Sequence, residues 1–572
     1  MTCTRRPHAS VELTRHLPIL AILVVAAAVR FPALPQKGIV DWDEASYLSH
    51  ARLVASGARA VLTRLSVELP AGEFMRPASG FEADTRWGKL RGEPTSQHRP
   101  SHTLSLAFGM LFLGEYAWAG QAVAASFGVL TVAIVYVFVR SAWGTAPAIL
   151  AAAVLAASGL HALYSAEALP DSAMLFFWSA ALLLHRRALD AGRLWRHGLA
   201  AGASLGIAVT FNERALLFLP WLGATQLLLT LRDWLEQRHA AAPRRTGRNA
   251  ASMALYRTAV VAAGCLLAVG AIAGVLAAVH AVSSLVGNQV PGLPSNYVQS
   301  FAGQFDVWRR STGSGVAPLA QFLVFPYLAW RWESPLTILL VGAGATAALV
   351  RRDREDPAVI SLLVVSYVFY ALAMRHVAHY YLPAIVPIAV LAGRWLTLVP
   401  AGARLRVAGA LSVLVVAWGA PRAADLAATS SGYQQASELA IRETGGKHLS
   451  NYWGITGFYT GNANAIWPQD GMDSVRRAIA DGYWLAIIAS THDNPGQVPP
   501  WELDAGPSGV RLVAEIPNPA GASLSNIHGG PRGATDVAEL METESRASGT
   551  IRIYDLRPLL SSGPTPSFTR KG

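Results

Sequence analysis

Long apolar segments recur along the first 420 residues, separated by short polar connections. Several are long enough to cross a hydrocarbon core of about 30 Å as α-helices. A shorter apolar stretch at 101–114 is typical of an interfacial or re-entrant helix. The pattern predicts a polytopic α-helical membrane protein with eleven transmembrane helices, near residues 17–35, 118–139, 147–163, 171–185, 198–210, 215–231, 258–280, 335–350, 357–374, 380–396 and 404–420.

Arginine-rich connections predict the orientation of these helices. Three short loops are basic: 186–196, 232–257 and 351–354. They alternate with loops that carry few positive charges, such as 164–170, and positively charged loops stay in the cytoplasm. Residues 1–16 are therefore expected to form a cytoplasmic N-terminus, and 36–117 the first extracytoplasmic loop. We expect an integral protein of a bacterial inner or plasma membrane.

The pattern changes near residue 421. Beyond the predicted membrane domain of residues 17–420, the stretches "HLSNYWGI", "YWLAIIAS", "VRLVAEIP" and "TIRIYDL" are typical of short strands, and "YQQASELAIRETGG" and "DSVRRAIADG" of helices. Alternating helices and strands indicate a small α/β unit. Residues 421–572 are thus predicted to form a C-terminal extracytoplasmic α/β domain.

Composition supports the membrane assignment. Of the 572 residues, 52% are hydrophobic and only 15% are charged, against about a quarter in a typical soluble protein. The net charge of +11 follows from arginines in the cytoplasmic loops, so we expect membrane lipids and no nucleic acid as partners. Cys3 and Cys265 are the two cysteines, and they do not indicate a disulfide framework.

Three carboxylates follow the first apolar segment, in "DWDEASY". Asp41 and Glu44 have the spacing of a capping box at a helix start. Asp43 has no structural role of this kind, although the helix dipole favours an anion in the first turn. Asp43 is therefore either a solvated surface charge or a functional group.

A second acidic pair, Glu167 and Asp171, lies in the next predicted outside loop, "YSAEALPD". Ionisable side chains near the membrane are costly, and a functional site is the first hypothesis for them. Carboxylates on two separate elements at one membrane face suit general-base or substrate-orienting work.

Several motifs in order resemble a known class. An apolar span and "DEASY" are followed by "HRPSHTLSLAFGMLFLGEYAW", "LHALYSAEALPDSAMLFF", "GIAVTFNERALLFLP" and "RHVAHYYLPAIVPIAVLAG". Over residues 17–400 the chain resembles the GT-C class of integral-membrane glycosyltransferases. It is similar to the group of protein O-mannosyltransferases and lipid A aminoarabinose transferases.

The resemblance implies that a sugar moves from a polyprenyl-phosphate donor to an acceptor hydroxyl at the outer membrane face, with inversion. The catalytic aspartate of the group falls on Asp43, its second acidic site on Asp171 or Glu167, and its phosphate-binding basic residue on Arg214. Some relatives bind a metal through an acid near residue 98, where this chain has His98. A divalent metal therefore stays an open alternative, and no metal ligand is predicted.

Arginine suits the leaving phosphate because its rigid fork of donors is always charged. The positive-inside bias should remove arginines from short outside loops, which points to Arg214 and Arg375. The histidines of "RHVAHYY" have either a metal-binding or an interfacial role. The predicted catalytic residues are Asp43, Asp171 and Glu167. The predicted substrate-binding residues are Glu44, Tyr47, His98, Arg99, Arg214, Arg375, His379 and Tyr380.

Two rival classes stay open on the sequence. A multi-spanning transporter or lipid flippase would also have many spans, but such proteins often show paired hydropathy repeats, and we find none here. A non-catalytic membrane scaffold could bind glycans through its outer domain. Removing the charge of Asp43 would separate these classes, because it should stop an enzyme and leave a scaffold's binding intact.

Overall fold

The computed structural model describes residues 9–64, 99–189, 194–239, 248–285, 323–372, 378–461, 463–466, 472–489, 510–519 and 549–560. Helices dominate these ranges. They are α1 Ala9–Arg30, α2 Leu34–Lys37, α3 Trp42–Arg64, α4 Pro100–Leu113, α5 Ala117–Trp143, α6 Thr145–Ala156, α7 Gly159–Ser165, α8 Asp171–Ala188, α9 Leu194–Phe211, α10 Phe218–His239, α11 Arg248–Leu285, α12 Val324–Trp332, α13 Pro335–Arg351, α14 Asp356–Leu372, α15 Leu382–Arg394, α16 Ala401–Ala428, α17 Tyr433–Thr444, α18 Trp453–Thr460 and α19 Met472–Ala480. Short 3₁₀ helices occupy Glu213–Leu217, Ala378–Tyr381, Trp395–Leu398 and Arg557–Leu560.

Each predicted span coincides with helix, but the predicted number of eleven is wrong. Within the described ranges, six helices are long and apolar enough to cross a membrane: Leu17–Lys37, Ala117–Trp143, Glu213–Arg232, Ala254–Val279, His379–Leu398 and Ala401–Thr444. Helices α8 and α9 carry basic residues in a terminal turn, and α13 and α14 have 17 residues each. The sequence pattern found the helices and overestimated how many are long and apolar enough to cross.

One predicted span, 147–163, is broken in the structure. Helices α6 and α7 meet at a bend of 60° and would count as a seventh span if taken together. Ser158 caps α7 by accepting a hydrogen bond from the backbone N–H of His161. Glu333, from the connection between α12 and α13, accepts from the Ser158 hydroxyl at 2.7 Å and from the Leu160 N–H at 3.2 Å. The bend is therefore fixed by side-chain caps, which hydropathy does not report.

Small residues let α9 pack closely against α11. A Cβ at Gly202 would lie 2.0 Å from the Val261 carbonyl oxygen, and one at Gly206 would lie 2.5 Å from that of Cys265. This small-xxx-small spacing is a common packing device between membrane helices. It matters for the site because α9 leads directly into the Glu213–Leu217 turn.

Five strands form a mixed sheet in the C-terminal region: β1 Leu449–Ser450, β2 Ala465–Ile466, β3 Leu485–Ala489, β4 Arg511–Pro517 and β5 Thr550–Asp555. Their order is β2-β1-β3-β5-β4. β1 pairs in parallel with β2 and β3, whereas β5 pairs antiparallel with β3 and β4. The predicted strand "HLSNYWGI" is only partly a strand, because α18 begins at Trp453, which packs edge-on against Trp42 at 4.9 Å.

Two observations bear on the predicted boundary at residue 421. Helix α16 runs through it to Ala428. The hydrophobic core is also continuous across it, because Tyr433, Trp453 and Ile487 belong to the same buried cluster as the membrane helices. The predicted helices and strands are present, whereas a separate extracytoplasmic domain stays a prediction.

Candidate active site

Helix α3 begins with a cap close to the capping box that the sequence indicated, except that Glu44 accepts from the backbone N–H of Val40 instead of that of Asp41. The Oδ1 atom of Asp41 accepts from the backbone N–H of Asp43 at 2.6 Å and from that of Glu44 at 3.4 Å. Glu44 reaches back and accepts from the Val40 N–H at 2.9 Å. This arrangement satisfies N–H groups that a helix start leaves without partners, and it fixes the direction in which Asp43 projects.

The second oxygen of Glu44 connects α3 to its neighbours. It accepts from the Ala168 N–H at 2.8 Å and from the Gln121 amide at 3.0 Å. His102 of α4 donates through Nε2 to the Ala168 carbonyl at 2.9 Å. Glu44 is fully buried, and burial raises its pKa. Because Asp171 begins α8 three residues after Ala168, these contacts hold the two predicted acidic sites together.

Asp43 projects from the first turn of α3 and its side chain is exposed. Among the described residues, no direct hydrogen bond engages its carboxylate. Partial desolvation by the neighbouring protein raises the pKa of Asp43 to about 6. The charge of Asp41 raises that pKa further, while Arg99 and Arg214 lower it. The carboxylate is thus accessible and titrates close to neutral pH.

Arg214 is the centre of a polar cluster beside Asp43. Its Nη1 donates to Asp171 Oδ1 at 3.0 Å, and its Nη2 donates to His379 Nε2 at 3.1 Å. The guanidinium also lies 3.8 Å from the ring centre of Tyr380. Asn212 donates to the same Asp171 oxygen at 3.3 Å and caps the Glu213–Leu217 turn. Arg214 is therefore oriented from three sides.

Arg99 adds a second guanidinium to the cluster. It immediately precedes α4 and donates to both carboxylate oxygens of Glu213, at 3.4 Å from Nε and 3.2 Å from Nη2. Its Nη1 donates to the Tyr47 hydroxyl. Tyr47 lies one turn beyond Asp43 on α3, so Arg99 links α3 to the Glu213–Leu217 turn.

Glu167 occupies a different environment from Asp171. Its carboxylate and the ammonium of Lys37 are both fully buried and lie 3.8 Å apart. Lys37 also donates to the Ala427 carbonyl oxygen at 2.9 Å. The pair joins the end of the first predicted span to the loop before α8. Of the two acids that the resemblance offered for the second acidic site, Asp171 is the one that contacts Arg214.

Most of the predicted site residues converge. The polar cluster contains Asp43, Tyr47, Arg99, Asp171, Arg214, His379 and Tyr380. Glu44 and Glu167 lie buried beside it, and His98 and Arg375 fall outside the described residues. Sequence reasoning missed the structural parts played by Asn212, Glu213, His102 and Lys37. Asn212 and Glu213 are next to Arg214 in the motif "FNER", and this closeness in sequence could have indicated that they belong to the site.

The donor atoms of this site suit an anionic ligand. Two arginines at one place are matched to phosphate oxygens by charge and geometry. No group of three or more His, Cys, Asp or Glu side chains within the described ranges is placed to hold a metal ion.

Solved structures of membrane glycosyltransferases share this fold. ArnT from Cupriavidus metallidurans in the apo state is 14% identical, with a TM-score of 0.54 over 98% of this chain and 100% of ArnT. ArnT bound to undecaprenyl phosphate gives 15% identity and a TM-score of 0.52 over the same shares. AglB from Archaeoglobus fulgidus, in complex with an inhibitory peptide and a dolichol-phosphate, gives 12% and 0.52 over 84% of this chain and 70% of AglB.

The fold is therefore that of the GT-C membrane glycosyltransferases, and the resemblance drawn from the sequence motifs is confirmed. Residues 97–243 match the family model described as dolichyl-phosphate-mannose-protein mannosyltransferase. The matched range contains Arg99, Asp171 and Arg214. A sequence comparison with curated proteins gave no match. The fold and the family match both agree with the predicted enzyme class, a glycosyltransferase.

Proposed function

We propose that the protein transfers a sugar from a polyprenyl-phosphate donor to an acceptor hydroxyl on a lipid, glycan or protein. The observation that carries the proposal is the pair of guanidiniums, Arg99 and Arg214, within electrostatic range of an accessible carboxylate, Asp43. A phosphate-linked donor needs both parts: cations for the leaving phosphate and a base for the incoming hydroxyl. ArnT with undecaprenyl phosphate and AglB with dolichol-phosphate support this donor class.

The reaction is a single displacement at the anomeric carbon. The acceptor oxygen forms a bond to that carbon while its proton passes to the Asp43 carboxylate. The bond from the anomeric carbon to the phosphate oxygen breaks, and its electron pair leaves with the phosphate. Attack opposite the leaving group inverts the anomeric centre. General-base assistance of this kind contributes about 10²–10⁴-fold.

Arg214 and Arg99 stabilise the charge that develops on the leaving phosphate. Each guanidinium presents several donors, so an incoming phosphate oxygen can be bound while Asp171 or Glu213 still holds the arginine in place. The Tyr380 ring, whose centre lies 3.8 Å from the Arg214 guanidinium carbon, helps to hold the guanidinium in place. Asp171 therefore acts as a positioning residue for Arg214 in this scheme.

We further propose that the site and the C-terminal sheet lie on the extracytoplasmic face of a bacterial plasma membrane, because a cytoplasmic N-terminus and seven spans, with α6 and α7 counted as one, put both outside. A form lacking Cys3 and Cys265 gives a clean background for labelling. Ser300→Cys and Pro500→Cys should both react with an impermeant thiol reagent in intact cells. Labelling of one position alone would contradict the proposed orientation.

The test of function is purification with bound lipid, followed by mass spectrometry and a transfer assay. The expected ligand is a polyprenyl phosphate or its glycosylated form, and the expected product is the glycosylated acceptor. A flippase would carry the intact lipid across a vesicle membrane without cleaving it. A scaffold would bind the glycan with no turnover. Either of these results in place of transfer would overturn the proposal.

A further inference from the structure

A cavity lies apart from the polar cluster. It has a volume of about 330 Å³, within the size range of small-molecule sites. The middle of α3, the start of α5 and the C-terminal helices α17 and α18 enclose it, and Leu34 and Pro35 form its side toward the membrane helices. This cavity takes no part in the proposed reaction.

Helix geometry separates this cavity from Asp43. Arg52 lines the cavity and stands nine residues after Asp43 on α3. At 1.5 Å and 100° per residue, the two positions lie about 13.5 Å apart along the axis and on opposite faces of the helix. A ligand in the cavity is therefore held at a place distinct from the reacting centre.

The cavity wall contains two buried charges with unused hydrogen-bonding capacity. Arg52 is 3% exposed and Glu115 is 1% exposed by side chain, and Arg52 Nε lies 3.9 Å from Glu115 Oε2. Arg52 donates from Nη1 to the Phe458 carbonyl at 2.6 Å, and Ser56 donates to Glu115 Oε1 at 2.7 Å. In the described part of the chain, neither Arg52 Nε nor Glu115 Oε2 takes part in a hydrogen bond.

Arg52 and Glu115 lie 3.9 Å apart and offset each other's charge, while Glu438 adds a carboxylate that also lines the cavity. A phosphate would therefore meet a lining with a net negative charge. The charges of the lining thus favour a neutral, hydroxylated ligand over an anionic one.

Aromatic side chains supply the remaining wall. Tyr116 and Trp118 stack with ring centres 5.9 Å apart and ring planes inclined by 14°. Gln434 and Glu438, from α17, form a polar rim and share a hydrogen bond of 3.1 Å. An aromatic face beside carboxylate and amide groups suits a sugar ring, whose C–H face packs on the aromatic rings while its edge carries hydroxyls.

We propose that this cavity is an accessory carbohydrate site that binds one pyranose ring of a glycan at the membrane surface. The lining of the cavity indicates that it lies at the membrane surface. Trp118 is the second residue of the span Ala117–Trp143, and Leu34 lies near the end of the span Leu17–Lys37. Tryptophan and tyrosine are enriched at this depth of a membrane.

The experiment is saturation-transfer NMR on the full chain in a detergent without a sugar head group. The probes are methyl pyranosides of glucose, galactose, mannose, rhamnose and glucosamine. Trp118→Ala should weaken binding of the best probe about 3- to 10-fold, the range expected for one aromatic contact. Glu438→Gln, a change at the exposed rim, should weaken it as well. Trp418→Ala, an exposed tryptophan on α16, is the matched control and should bind like the wild type.

The affinities of octyl glucoside and methyl glucoside, measured side by side, identify the kind of molecule that carries the bound pyranose ring. Tighter binding of octyl glucoside indicates a glycolipid head group, and equal binding indicates a free or protein-linked glycan. Binding of no pyranoside, or equal loss in Trp118→Ala and Trp418→Ala, would overturn the accessory site. Transfer activity is measured separately on the same preparations. Failure of sugar binding with transfer intact refutes this inference alone, and the converse refutes only the proposed function.

Discussion

Replacing Asp43 with asparagine tests the assignment of the base. The substitution keeps the size of the side chain and removes the carboxylate that would take the acceptor proton. We expect transfer to fall by at least about 100-fold, the lower figure for general-base catalysis. The assay is the initial rate of sugar transfer from a radiolabelled polyprenyl-phosphate donor by purified protein.

The pKa of Asp43 predicts the pH dependence and the stability of this variant. Because that pKa is raised to about 6, the wild-type kcat/KM should rise with pH until the carboxylate is ionised, and flatten above about pH 7. The pKa of Asp43 is higher in the folded protein than in the unfolded chain. Ionisation of Asp43 therefore lowers the free energy of unfolding as pH rises from the unfolded pKa to the folded pKa. Asp43→Asn should therefore have a Tm at pH 7.5 no lower than that of the wild type.

Asp41→Asn is the matched control. Asparagine caps a helix about as well as aspartate, so the fold and the rate at pH 7.5 should change little. Removing the Asp41 charge should, however, lower the pKa of Asp43 and move the acid limb of the profile to lower pH. If Asp43→Asn transfers sugar at near the wild-type rate while Asp171→Asn does not, the base is not Asp43 and the reasoning fails.

Three further changes test other parts of the structure. Arg214→Ala should reduce transfer at least tenfold more than Arg331→Ala, an exposed arginine that contacts Tyr327; equal losses would remove the case for Arg214 at the phosphate. Glu44→Gln should lower the free energy of unfolding by about 2–3 kcal/mol, because an amide group would then face the backbone N–H of Val40 or of Ala168; an unchanged Tm would contradict this. Gly202→Val should lower the Tm in detergent well below that of Gly223→Val, since only the first meets a backbone carbonyl; similar values would argue against close packing of α9 on α11.

The parts of the site that local sequence determines were predictable. The capping box at Asp41 and Glu44 depends on spacing within one turn, and the motif "FNER" keeps Asn212, Glu213 and Arg214 on one short turn. Helix positions were likewise readable from apolar periodicity. These features need no knowledge of the partner elements.

Long-range contacts were not predictable in the same way. Glu44 binds Ala168, 124 residues away, and Lys37 pairs with Glu167 across a similar distance in sequence. Nothing near Glu167 in the chain distinguishes it from Asp171, although burial with Lys37 sets it apart. The span count failed because hydropathy marks apolar helices, while helix length, terminal charges and the bend between α6 and α7 decide which can cross.

The strand order has a consequence for biosynthesis. β5 is the last of the described strands, yet it lies between β3 and β4 and is the neighbour to which β4 is bonded. β4 therefore cannot pair with its neighbour in the sheet until residues 550–555 have left the ribosome. Until then one edge of β3 is open to other chains, a condition that favours aggregation. A chain released before β5 would present an unfinished edge to the quality-control machinery of the cell.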